Sequence, residues 1–233
     1  MTTIKIISAG AVKEMVVALG ADFEKATGTK LDLNFGTVGS MRARVEKGET
    51  ADVMCLSQSA IAVLDKAGRV LPGSIVNLAD TVTGVVIREG AVRPDLSTVE
   101  AFKQALLDAA RVAYVDPQAG GSSGIMFAAM IERLGIADAI NKKAVLGKNG
   151  HDVATLVADG RAEIGTTFIS EILPVKGAQV AGLLPGELHN ANTYTAALHA
   201  GTAAPEAARA FVAALTDKAT RARWTAAGLE PAF

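Results

Sequence analysis

RVAYVDPQAGGSSGIMFAAMIERLGI, residues 111–136, decides the fold. The apolar run Val112–Val115 stops at Asp116-Pro117, and a turn of small residues follows, Ala119-Gly120-Gly121-Ser122-Ser123-Gly124. Ile125, Met126, Ala129, Met130, Ile131 and Leu134 then recur at helical spacing. The pattern reads as strand, tight turn, helix. A helix that opens on Gly and Ser offers backbone N–H groups, hydroxyl donors and the positive end of its dipole, which together suit a carboxylate, phosphate or metal oxyanion.

The same pattern repeats in both directions. Ile4–Ile7 leads into a helix over about Val12–Lys25, and Lys30–Phe35 into one over about Gly39–Lys47. Ala51–Leu56 precedes a helix near Gln58–Ala67, and Val82–Arg88 is a longer strand. A helix near Val99–Leu107 comes before the quoted stretch. Beyond it, Val145–Leu146 precedes a helix at Asp152–Asp159, and Ile164–Phe168 is a further strand. Thr193–Leu198, then helices Glu206–Leu215 and Lys218–Ala227, close the chain. Strands alternating with helices specify an α/β fold with mixed, mainly parallel sheets. With 233 residues the chain can bury one large core or two smaller ones. The strands at 82–88 and 193–198 are read as two crossings that form a hinge. They separate a first lobe, 1–82 plus 195–233, from a second, 84–192, with the ligand expected in the cleft, outside the carboxyl ends of the strands.

Composition narrows the function. Half the residues are hydrophobic, only 4% are aromatic and the net charge is −1. Lys and Arg are nowhere concentrated with aromatics, which argues against a nucleic-acid surface. No apolar stretch is long enough to insert in a membrane. His151, His189 and His199 are the only histidines. They fall into no metal-ligand spacing, so neither a metal nor another cofactor is expected. Cys55 ends an apolar run and reads as a buried thiol. The Gly-rich turn at 119–124 lacks both the Lys of a P-loop and the full dinucleotide fingerprint.

Four turns emerge as candidate anion contacts. Ser8, Gly10 and Ala11 form the first, and Thr37, Val38, Gly39 and Ser40 open the second helix, where Thr37 or Ser40 also suits an N-cap. Ser122, Ser123 and Gly124 form the third, with two hydroxyls able to aim at one point. The fourth holds Asn149, Gly150, His151 and Asp152, with Asp152 read as the cap of the following helix. Phe168 and Ser170 close the next strand. Arg42, Arg44, Arg88 and Lys148 are the basic residues considered as carboxylate partners.

Several long segments carry a resemblance: IISAGAVKEMVVALGADFEKATGTKLDLNFGTVGSMRARVEKGETADVMCLS (6–57), YVDPQAGGSSGIMFAAMIERLGI (114–136), VATLVADGRAEIGTTFISEI (153–172), NTYTAALHAGTAAPEAARAFVAAL (192–215) and AAGLEPAF (226–233). In order and spacing they resemble type II periplasmic solute-binding proteins, specifically the molybdate-binding-protein group of ABC transporters. The resemblance implies the two-lobe type II periplasmic-binding-protein-like fold, a monomer, a small anionic ligand and an ABC-transporter permease as partner. It also aligns Ala11 and Val38 with two serines that bond molybdate in that group, Ser123 with a backbone-donating alanine, and Phe168 with a tyrosine. Three side-chain donors are thus replaced by apolar groups, and one hydroxyl is added. Some similar proteins are isomerases of unsaturated tricarboxylates such as aconitate.

Two functions follow as expectations. The first is a solute-binding protein that captures an oxyanion or organic carboxylate. The second is a cytosolic isomerase or tautomerase on the same scaffold. In it, His151 is the general base, and Ser8 and Ser123 are donors to the developing enolate charge. The opening MTTIKIISAG lacks the features of a signal peptide, so the chain as written is expected in the cytoplasm. Removal of a leader would place it in the periplasm.

Overall fold

The computed structural model describes residues 2–233. The described chain divides into two compact units, 2–81 with 192–233, and 82–191. Through the first unit run β1 (Thr3–Ala9), α1 (Lys13–Thr27), β2 (Lys30–Gly36), α2 (Val38–Glu46), β3 (Val53–Ser57), α3 (Gln58–Lys66) and the start of β4 (Val76–Arg88). The second unit takes over β4 at Val82 and continues with α4 (Val99–Asp108), β5 (Val112–Val115), α5 (Ser122–Arg133) and α6 (Ala137–Asn141). It then adds β6 (Ala144–Gly147), α7 (Gly150–Ala158), β7 (Ile164–Phe168), the single turn α8 (Ile169–Ile172) and β8 (Ala178–Leu183). The chain returns to the first unit in β9 (Ala191–Leu198), α9 (Pro205–Leu215), α10 (Arg221–Ala226) and β10 (Leu229–Pro231).

In the first unit β1 lies between β2 and β3, parallel to both, and β9 pairs antiparallel with β3. Every residue of β3 is buried, and α2 and α3 pack against the strand. The amphipathic α1 sets Met15, Val16, Leu19 and Phe23 inward. α9 sets Phe211, Val212 and Leu215 inward. Phe23 and Phe211 meet edge to face at 5.3 Å, a contact that adds about 0.5–1.5 kcal/mol to simple burial. Trp224 is fully buried, and its indole N–H donates to the Leu215 carbonyl at 3.0 Å.

In the second unit β5 lies between β6 and β7, parallel to both, while β4 pairs antiparallel with β7 and β8. The two-residue period of β5 splits its side chains. Val112 and Tyr114 join a core with Phe102 and Leu106 of α4 and Phe127 and Ile131 of α5. Ala113 and Val115 join Val153, Ala154 and Val157 of α7 on the other face. The run Val112–Val115 is therefore uninterrupted because both of its faces are dry. Tyr114 keeps its polar end satisfied by donating to Asn141 Oδ1 at 2.7 Å.

The structure adjusts several element boundaries. β4 begins at Val76 rather than Val82; Asn77 and Asp80 interrupt its apolar pattern but lie within the strand. β8, α6 and β10 were not anticipated. The small, half-buried residues of β8 carry no alternation, and β10 is only three residues long. The segment Lys218–Ala227 starts as a 3-10 turn, Lys218–Thr220, before α10. Among the described residues no helix is long and apolar enough to cross a membrane.

Candidate functional site

In each unit, three parallel strands end level with one another and feed helix starts. In the first unit the register Ala9↔Gly36 and Ser8↔Cys55 aligns the ends of β1, β2 and β3. Ser8 is fully buried, and its hydroxyl donates to the Ala9 carbonyl at 3.2 Å. A 3-10 turn, Gly10–Val12, then leads into α1; no side chain caps this turn, and Ala11 is buried. Thr37 is the N-cap of α2. Its Oγ1 accepts from the Ser40 N–H at 3.1 Å, while Ser40 Oγ donates back to the Thr37 carbonyl at 3.0 Å. Val38 is buried and Gly39 half-buried beside it. Ser57, which the sequence reading passed over, caps α3 by accepting from the Ala60 N–H.

In the second unit the register Val115↔Gly147 and Tyr114↔Thr166 aligns β5, β6 and β7. The start of α5, at Gly121, has no side-chain cap. Gly124 explains the glycine-rich turn: a Cβ there would collide with the carbonyl oxygen of Val115, so only glycine lets the first turn of α5 sit on the end of β5. Ser122 is half-buried and Ser123 is buried. Ser123 Oγ lies 3.4 Å from Thr167 Oγ1, a pair in which either hydroxyl can donate.

The start of α7 differs from the expectation. Asn149, not Asp152, is the N-cap: its Oδ1 accepts from the Asp152 N–H, and Asp152 Oδ2 accepts from the Lys148 N–H, both at 2.9 Å. Asp152, three residues in, instead holds the N–H of Lys148, the residue before the cap, and the helix starts at Gly150. Asn149 and His151 are exposed.

Glu171 is the residue that sequence reasoning missed. It is 7% exposed and accepts from Thr167 Oγ1 at 3.0 Å. Burial raises its pKa from the usual 4.5 to about 7, against the opposing pull of the Thr167 hydroxyl and the Gly150 N–H. A Cβ on Gly150 would occupy the space of the Glu171 carboxylate and the Thr167 hydroxyl, so that glycine is also fixed by close approach. The available signal was an acid inside an apolar run, FISEIL. Next to it, Ser170 Oγ is buried with no hydrogen-bond partner among the described residues, a vacancy that native interiors rarely leave. Phe168 is buried at the end of β7.

Of the basic residues, Arg44 is committed to Glu49, bonding both carboxylate oxygens at 2.5–2.6 Å, and Lys5 adds a 2.7 Å pair to the same group. Arg44 first, then Lys5, hold the Glu49 carboxyl down to about 2. Arg42 pairs with Glu46 at 3.3 Å. Arg88 and Lys148 are exposed. A groove of about 450 Å³ at the opposite ends of these strands, near Ile164, is flanked by Asp95, Asp108 and Glu163, which makes it unsuited to an anion.

Comparison with known proteins agrees with this architecture. The family described as bacterial extracellular solute-binding protein matches residues 4–230. An aconitate isomerase from Pseudomonas sp is 31% identical over 237 residues, covering 99% of this chain and 88% of that protein. The fold matches the periplasmic molybdate-binding protein of Azotobacter vinelandii at a TM-score of 0.77, with 20% identity, 97% of this chain and 98% of that one. It matches the sulfate-binding protein SubI of Mycobacterium tuberculosis H37Rv at 0.80, with 18% identity, 100% of this chain and 88% of that one.

Proposed function

The chain belongs to the bacterial extracellular solute-binding protein family, and from that premise we propose that it binds a small organic carboxylate at its strand-to-helix turns. The observation that carries this reading is the start of α5, a helix N-terminus that no side chain caps, with Ser122 and Ser123 in its first turn. Amide donors and the helix dipole there favour negative charge. The hydroxyl of Ser170, which lies in α8 just past the neighbouring strand β7 rather than in the strand itself, has no partner among the described residues and adds a donor that a ligand oxygen would satisfy. Ala11, Val38 and Phe168 are buried apolar groups where the molybdate group presents hydroxyls. Such a lining fits a ligand with a carbon skeleton better than a bare tetrahedral oxyanion. Ser8, Gly10, Thr37, Gly39, Ser40, Gly124 and Asn149 complete the proposed contact set, and an ABC-transporter permease is the proposed partner.

A second reading is isomerisation of an unsaturated polycarboxylate, favoured by the aconitate isomerase that shares 31% identity over nearly the whole chain. Moving a proton between carbons requires a base near the acidic C–H and donors for the enolate-like charge. His151, exposed in the first turn of α7, is the proposed base, with Ser8 and Ser123 as donors.

A thermal-shift screen with molybdate, tungstate, sulfate, phosphate, citrate and both aconitate isomers tests the binding reading. A ligand at a hundred times its Kd adds about 2.7 kcal/mol, which raises Tm by roughly 5–10 °C in a chain of this size. A shift from carboxylates but not from tetrahedral oxyanions is expected; no shift from any of them overturns the proposal. Proton NMR of either aconitate isomer, followed over hours, separates binder from isomerase. Under the second reading His151→Ala abolishes turnover and spares most binding.

A further inference from the structure

We infer that Glu171, acting through Thr167, sets whether the Ser123 hydroxyl donates or accepts at the start of α5, so that anion binding there takes up one proton. The inference rests on the anion-binding reading and adds a positioning residue to it.

The geometry is a chain of three groups. Ser123 Oγ is 3.4 Å from Thr167 Oγ1, and Thr167 Oγ1 is 3.0 Å from Glu171 Oε2. All three residues are at least nine-tenths buried, so bulk water does not substitute freely for any link. Each hydroxyl carries one proton to donate. When Glu171 is ionised it can only accept, so Thr167 donates to it and receives the Ser123 hydroxyl in turn. Ser123 then presents only oxygen lone pairs outward, where they repel an anion. When Glu171 is protonated it donates to Thr167, and Thr167 turns to donate to Ser123. The Ser123 hydroxyl is thereby released to donate to the anion. Only O–H orientations change along the chain; the proton taken up comes from solvent and stays on the Glu171 carboxyl. The Gly150 N–H bonds the carboxyl in either state.

The surroundings leave Glu171 in charge of this step. α8 packs against α7, β7 and β8 and touches β4 at Gly84, where the charged residues Asp80 and Arg88 stand four residues to either side along the strand. β7 and β8 carry no titratable side chain, and Glu171 is the only one on α8. On α7, His151 is exposed and Asp152 is bonded to the Lys148 N–H. Burial, not a neighbouring charge, is what brings the carboxyl near neutrality.

If only the protonated form binds, the apparent Kd rises by the reciprocal of the protonated fraction, about tenfold per pH unit above pH 7. The test is calorimetric titration with trans-aconitate and with fumarate, an unsaturated dicarboxylate whose charge is constant from pH 6 to 9. Wild type is expected to lose about 50-fold in affinity between pH 7 and pH 9. E171Q, whose amide donates permanently to Thr167, is expected to bind tightly with that loss removed. S123A is expected to bind weakly with an equally flat profile, and it serves if E171Q does not fold. Wild type at pH 8, titrated in two buffers of different ionisation enthalpy, should take up close to one proton per ligand. Parallel pH profiles for wild type and both variants, or no proton uptake, overturn the relay while leaving anion binding intact. Failure of both probes to bind wild type at pH 6 is instead the failure of the anion-binding reading, and the relay falls with it.

Discussion

Replacing Glu171 with Gln should stabilise the protein, and increasingly so as the pH rises. The folded state raises the Glu171 pKa from 4.5 to about 7. A raised acid binds more protons when folded than when unfolded, so stability falls as pH climbs from the unfolded value through the folded one. About 2.5 units at 1.36 kcal/mol each is a loss of about 3 kcal/mol, complete by about pH 9 and mostly incurred above pH 5. The Gln amide keeps both links, donating to Thr167 and accepting from the Gly150 N–H, and it never ionises. The variant should therefore escape the loss. Thermal unfolding of both proteins from pH 5 to 9 measures it. About 2.5 kcal/mol of that loss falls between pH 5 and 9, so the difference in Tm, variant minus wild type, should grow by roughly 5–10 °C across that range. Parallel curves would mean that Glu171 is ionised in the fold at acidic pH, and the account of its environment would be wrong.

The other perturbations act elsewhere. Gly124→Ala places a methyl against the Val115 carbonyl, a backbone atom that cannot step aside. Overpacking of this kind costs about 1–3 kcal/mol in chemical denaturation, and the displaced α5 start should also weaken any anion binding. Asn149→Ala removes the cap of α7 and should cost about 1 kcal/mol, while Asp152→Ala leaves that cap in place and costs less. Cys55, fully buried with its thiol pushed up to about 12, should resist a thiol reagent in the folded protein and react fully in denaturant.

How far the sequence could be read depended on how local each signal was. The turn at 119–124 was legible because glycine spacing and the hydrophobic period both change there, and the structure ties Gly120 to a left-handed backbone and Gly124 to the close approach of Val115. Thr37 was legible as a cap for the same reason. Asn149 and Asp152 are both good capping residues three positions apart, and only the helix boundary decides between them. Glu171 depends on contacts from elsewhere: Gly150 and Thr167 meet it from two different elements. An acid in an apolar run can be spotted in the sequence, but its partners cannot. β8 is recognisable only through its pairing with β4, since its small residues show neither alternation nor strong strand preference.

The interrupted layout of the first unit bears on how the protein is made. Its β3 is partnered along one flank by β9, with Ser57 opposite Tyr194, so a ribosome must deliver the whole of 82–191 before that flank is covered. The continuous second unit can finish its own sheet first, reversing the usual order in which the amino-terminal part of a nascent chain matures earliest. Until residues 192–233 emerge, Val53, Met54 and Leu56 lie on an open strand edge, and this is the interval in which a chaperone would matter most.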